Sequence, residues 1–170
     1  MNEAVIFDMD GQLVDTEPVW DRARRWMADS AGKPWSTLDR YAVMGFSTEE
    51  WAEYMIDRLE LTLYRQEVID AIIGRMLEMY HAGVPYRPGA VEAVDLATRD
   101  YRTAVASGSH PALIEAVMAD PPMSGKFEVV VAADDVGVGK PAPDVYLVTA
   151  ERLGVDPGDC VCLEDSGNGI

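Results

Sequence analysis

The order of apolar runs in this chain predicts an α/β protein: a parallel, doubly wound sheet interrupted after its first strand by an all-helical insert. Three observations predict it. A continuously apolar run opens the chain at residues 4–7, and three more follow Gly89 in alternation with helical segments. Between them, residues 16–84 carry only helical periodicity. Side chains able to do chemistry gather just past the carboxyl ends of the apolar runs, where sheets of this kind bind ligands.

The elements follow in order. Residues 4–7 read as a buried strand, apolar throughout and bounded by turn chemistry. Residues 17–31 read as a helix: Pro18 suits its first turn, Gly32 its stop, and Val19, Trp20, Ala23, Trp26 and Met27 share one face. Ser47-Thr48-Glu49-Glu50 is a capping box that opens a helix carrying Trp51, Met55 and Leu59. Residues 65–82 form a third helix, with Val68, Ile69, Ile72, Ile73, Met76 and Tyr80 inward and Gly83 as its stop. Pro85 and Pro88-Gly89 mark a boundary. Helices over 90–98, 111–118 and 143–153 then alternate with strands over 102–106, 128–132 and 160–163. The sheet domain is expected to comprise residues 1–15 and 85–170, and the helical insert residues 16–84.

Bulk properties exclude several function classes. A chain of 170 residues with 48% apolar content can bury a real core. Its net charge of −16 argues against nucleic acid and anionic membrane surfaces as partners, because phosphate contacts need clustered Lys and Arg. No apolar run is long enough to span a bilayer, and no basic region precedes the first apolar stretch as in a secretory signal. Cys160 and Cys162 are too close in sequence for a disulfide on one strand, and read as two buried thiols in a reducing cytoplasm.

The candidate site is assembled from four separate segments. Strand one ends in Asp8 and Asp10, two carboxylates that repel unless one is protonated or a cation lies between them. The second strand ends at Ser107-Gly108-Ser109, the third is followed by Gly139-Lys140-Pro141, and the last ends at Glu164-Asp165. Four carboxylates beside a phosphate dianion are untenable without positive charge. A hard cation taking oxygen ligands, Mg²⁺, fits that set, with Lys140 as a second, point-like cation. Ser107 and nearby backbone N–H groups can hold phosphate oxygens. Phosphoryl transfer needs mainly positioning and charge neutralisation, so one aspartate can attack while the other handles the proton.

The strings Phe7-Asp8-Met9-Asp10-Gly11-Gln12-Leu13-Val14-Asp15-Thr16-Glu17, Ala106-Ser107-Gly108-Ser109, Gly139-Lys140-Pro141-Ala142-Pro143-Asp144 and Leu163-Glu164-Asp165-Ser166 resemble the haloacid dehalogenase-like hydrolase superfamily, in its sugar-phosphatase and β-phosphoglucomutase subgroup. The resemblance spans essentially the whole chain. It implies a Rossmann-like core with a helical cap that closes over a small phosphorylated metabolite. It implies Asp8 as nucleophile, Asp10 as general acid/base, and Gly11, Ser107, Gly108 and Lys140 around the phosphoryl group. Asp8, the Asp10 backbone carbonyl, Glu164 and Asp165 would hold Mg²⁺. Residues 16–23 look most like hexose- and hexitol-phosphate phosphatases. The mutases carry a histidine near position 20 where this chain has Trp20, which favours hydrolysis over phosphoryl shuttling. The alternatives are a phosphomutase, or a fragment that binds Mg²⁺ and phosphate without turnover. Family members continue for a further helix-strand-helix-strand stretch beyond Ile170, so the core is expected to lack its C-terminal part and to expose a strand edge and a sheet face.

Simpler structural readings are expected elsewhere. Asp15 and Glu17 read as helix-start residues, His81 as a structural residue near a helix end, and His110 as a loop residue. Arg22-Ala23-Arg24-Arg25 reads as a solvated face among acidic neighbours.

Overall fold

The structure is a computed structural model that describes residues 2–44, 46–167 and 169. It divides into two units, residues 1–16 with 83–170, and residues 17–82.

The first unit is a parallel sheet. Its strands β1 (Ala4–Phe7), β2 (Arg102–Ser107), β3 (Val129–Ala132) and β4 (Cys160–Leu163) run in the spatial order β3-β2-β1-β4. In register, Phe7 lies opposite Val105 and Leu163, and Ser107 lies opposite Ala132. All four carboxyl ends therefore finish along one rim. Each parallel step needs a crossover, and helices supply them. The helices of this unit are α5 (Ala90–Asp100), α6 (Pro111–Ala119) and α7 (Asp144–Leu153). The helices of the other unit precede them in the chain. Helix α7 packs on β2 and β3, where Ala4, Ile6, Ala104, Ala106 and Val131 meet Val145, Ala150 and Leu153. The alanines on the sheet leave room for the helix to approach.

Strand β4 is one edge of the sheet among the described residues, and β3 the other. The outer half of β4 is exposed, and Leu96, Tyr101, Val161 and Leu163 line an apolar groove of about 470 Å³ beside it. The cysteines follow from this placement and correct the expectation of two buried thiols. Cys162 is exposed and Cys160 partly so, and both are free.

The chain leaves and re-enters the sheet unit at neighbouring backbone positions. Asp15 N–H donates to the Pro85 carbonyl at 2.8 Å, Arg87 N–H donates to the Leu13 carbonyl at 2.9 Å, and Val14 bridges Tyr86.

The second unit is all-helical: α1 (Glu17–Ser30), α2 (Thr37–Ala42), α3 (Thr48–Leu59) and α4 (Arg65–Ala82). Helix α4 packs against α1 and α3. Trp51, Met55, Leu59, Val68, Ile72 and Met76 form its interior. Helix α2 has no counterpart in the sequence reading. Six residues are too few to show periodicity, and its Ser36 capping box uses Asp39 in place of the usual Glu or Gln. Asp39 is buried and accepts from Ser36 N–H (2.8 Å) and Oγ (2.6 Å), Tyr54 Oη (2.9 Å) and Arg58 Nε (2.6 Å). Burial would raise its carboxyl, but the Ser36, Arg58 and Tyr54 donors outweigh it and hold it well below the usual range.

Two side chains on α1 reverse the sequence expectation. Trp26 is 40% exposed and lies under the Arg75 guanidinium rather than in the interior. Arg24, expected on a solvated face, is buried, its guanidinium 4.8 Å from the Trp20 ring and 5.7 Å from the Trp51 ring. Burial lowers its pKa to about 10. Helical spacing put Arg24 beside Ala23, and tryptophan faces strong enough to hold a cation decided its place.

Candidate active site

The predicted residues meet at the carboxyl ends of the strands. Asp8 follows β1 directly. Its N–H donates to the Leu163 carbonyl at 2.9 Å, which extends the ladder and aims the side chain at the rim. Its carboxylate is buried. Lys140, from the loop before α7, donates to Asp8 Oδ1 at 2.7 Å and to Glu164 Oε2 at 2.6 Å. One ammonium thus ties the end of β1 to the end of β4. Burial pushes the Asp8 carboxyl up to about 7, with Lys140 opposing and the nearby Asp10 adding to the rise.

Asp10 points the other way, toward the end of β2. Its Oδ2 accepts from Ser109 Oγ at 2.7 Å and from Ser107 Oγ at 3.2 Å. Ser107 is fully buried and also accepts from the Ser109 N–H at 3.0 Å, which fixes its hydroxyl as a donor to Asp10. Burial raises the Asp10 carboxyl above the ordinary range, against the Ser109, Thr16 and Ser107 side chains. The two carboxyls thus have different partners, an ammonium on Asp8 and two hydroxyls on Asp10, the kind of unlike setting a nucleophile and a general acid need.

Asp8, Glu164 and Asp165 each bring a carboxylate oxygen within 4.8 Å of the others, a group that could hold a metal ion. The Asp10 carboxylate stands outside this group. Gly11 leaves room for the Asp165 side chain in that group. Its φ is +79°, and an added Cβ would lie 2.1 Å from Asp165 Oδ2. The Asp165 side chain therefore occupies the space that only glycine leaves open. Converging carboxylate oxygens facing a single ammonium suit a hard divalent cation in both charge and donor type.

Glu164 is held from both sides. Its Oε1 accepts from Ser166 Oγ at 2.9 Å, Ser166 N–H at 3.1 Å and Asp165 N–H at 3.2 Å. Its Oε2 accepts from Lys140 and, at 2.5 Å, from Tyr146 Oη. Burial would raise Glu164, but the Lys140, Tyr146 and Ser166 donors hold it well below the usual carboxylate range.

Gly108 lies in the exposed loop after β2, and His110 caps α6, its Nδ1 accepting from the Ala112 N–H at 3.3 Å. Sequence reasoning assigned no role to Ser109, Thr16, Ser166 or Tyr146. Ser109 stood inside a quoted motif, so its signal was present. Tyr146 is six residues beyond Lys140 on a helix, and nothing in the sequence points it at Glu164.

The chain belongs to the haloacid dehalogenase-like hydrolases, whose family model matches residues 3–170. It is similar to hexitol phosphatase B of Escherichia coli K12, at 34% identity over 98% of this chain and 77% of that protein. It is also similar to the phosphorylated carbohydrates phosphatase of Thermotoga maritima, at 33% identity over 99% of this chain and 78% of that protein. Among solved structures, CbbY from Rhodobacter sphaeroides in complex with phosphate superposes with a TM-score of 0.86, at 28% identity over 99% of this chain and 80% of that one. The parallel sheet with flanking helices is the fold of that family. Among the described residues no helix is long and apolar enough to cross a membrane.

Proposed function

We propose that this chain hydrolyses a small sugar phosphate, with Mg²⁺ as its metal and Asp8 as its nucleophile. Phosphoric monoester hydrolysis is the activity that the family and its named phosphatase relatives support. The observation that carries the reading is the placement of Lys140 between Asp8 and Glu164, with Asp10 held separately by two serine hydroxyls.

Asp8, Glu164 and Asp165 would hold the metal, together with the Asp10 backbone carbonyl. When bound, it supplies charge neutralisation for the phosphoryl oxygens. Lys140 and the Ser107 region bind the same oxygens from the protein side. An Asp8 carboxylate oxygen attacks phosphorus, and the bond from phosphorus to the sugar oxygen breaks. Asp10 gives its proton to that leaving oxygen. The aspartyl-phosphate is then hydrolysed: Asp10, now a carboxylate, takes a proton from water as the water oxygen attacks phosphorus, and Asp8 is released with inorganic phosphate. The helical unit, residues 17–82, is read as the cap that selects the sugar.

A phosphate-release screen over phosphorylated sugars, with and without EDTA, tests this. Turnover is expected only with the metal present, and it should vanish in Asp8→Asn without loss of fold. Interconversion of glucose 1- and 6-phosphates without free phosphate would mark a mutase instead. An Asp8→Asn variant that keeps most of its rate would remove Asp8 from the nucleophile's role.

A further inference from the structure

We propose that Tyr146 is a positioning residue for the metal centre: its hydroxyl fixes the Glu164 carboxylate in the orientation that the divalent ion requires. This rests on the metal-dependent reading above. Three features carry it. Tyr146 Oη donates to Glu164 Oε2 at 2.5 Å, on the same oxygen that receives Lys140. The Tyr146 ring stands 5.0 Å from Lys140 Nζ, so one side chain touches both partners of the ion pair. Among the described residues, the remaining donors to Glu164 come from its own loop, residues 165 and 166, and reach Oε1.

The consequence is mechanical. Backbone and Ser166 donors fix one end of the carboxylate to its loop. Among the described residues, α7 and the loop before it fix the other end. Without the Tyr146 hydroxyl, the described partner left to Oε2 is Lys140, which is shared with Asp8 at 2.7 Å. The carboxylate can then rotate about its anchored end, away from Asp8 and Asp165. Donors that orient metal-binding carboxylates typically matter by about 10–100-fold in metal affinity.

The test uses the whole chain and a readout independent of turnover. Mg²⁺ is titrated calorimetrically into metal-free wild type and Tyr146→Phe, with melting followed in parallel. Phenylalanine keeps the ring over Lys140 and removes only the hydroxyl. The expected result is a Mg²⁺ affinity lower by about 10-fold with an unchanged melting curve. The same substitution in a Glu164→Gln background should give no further loss, because the hydroxyl acts through that carboxylate. Equal losses in both backgrounds, or a folded Tyr146→Phe chain that binds Mg²⁺ as tightly as wild type, would overturn the proposal. Should Tyr146→Phe melt early, the titration is made well below its melting transition, where a folded variant that binds Mg²⁺ as tightly as wild type likewise counts against it. A wild type that binds Mg²⁺ but releases no phosphate would sink the proposed function and leave this inference standing.

Discussion

Replacing Lys140 with methionine isolates what its ammonium does. The methionine keeps much of the stem but leaves Asp8 and Glu164 facing each other. Both carboxylates are 6% exposed in their side chains, and both lie within 2.7 Å of the ammonium. At an effective dielectric of about 20, each contact carries roughly 6 kcal/mol of attraction before desolvation is counted. Removing one partner of such a buried pair typically costs about 3–5 kcal/mol. The lower end applies, because Asp8 already titrates near neutrality and can take up a proton, and Glu164 keeps Tyr146 and Ser166. A loss of about 3 kcal/mol in a chain of this size lowers the melting temperature by roughly 6–12 °C. On the proposed mechanism the phosphoryl oxygens also lose one fixed positive charge, which would cost about 10²–10³ in kcat by analogy with removal of one oxyanion donor. Differential scanning fluorimetry at neutral pH and steady-state phosphate release on the same preparation measure both effects. A variant that melts and turns over like wild type would refute the bridging role.

Three further predictions concern other parts of the molecule. Asp39→Ala removes the acceptor on which Ser36, Tyr54 and Arg58 converge in the helical unit; because Arg58 is partly solvated, the loss is about 2–3 kcal/mol, read from urea unfolding. The folded Asp39 carboxyl lies below its unfolded value, so its contribution is present above about pH 4 and is lost as the pH falls below that; Asp39→Asn should flatten that acid limb. Gly11→Ala forces a side chain into left-handed backbone at φ +79° and displaces Asp165, so Mg²⁺ affinity should drop by at least about 10-fold in calorimetry. Arg24→Met exchanges a desolvated guanidinium for an apolar chain of similar length. The lost ring contacts, about 2 kcal/mol for a desolvated cation, are offset by relief of desolvation, so the thermal midpoint should stay level or rise.

Much of the site was legible because strand ends are easy to place. An apolar run that stops at Asp8, Ser107 or Glu164 fixes both the element and the rim on which its last side chain emerges. Helix α4 was equally clear, since its inward residues recur at 3.6-residue spacing from Val68 to Tyr80. What stayed hidden depended on partners distant in sequence. Arg24 is buried because Trp20 and Trp51 offer it ring faces, and Trp51 arrives from another helix. Helix α2 exists because Asp39 collects donors from residues 54 and 58. Tyr146 reaches Glu164 across eighteen positions. The buried-thiol expectation failed for a related reason: the run Cys160–Leu163 is apolar enough for an interior strand, yet it occupies an edge of the sheet.

The paired backbone bonds joining residues 13–15 to residues 85–87 make residues 17–82 a cassette with both splice points side by side. Such a segment can be swapped for a relative's, or replaced by a short loop, without cutting any strand. If the helical unit selects the sugar as proposed, selectivity can diverge in the cassette while the acid, lysine and serine cluster stays untouched. Chimeras assayed for phosphate release over a panel of sugar phosphates test whether the helical unit chooses the substrate.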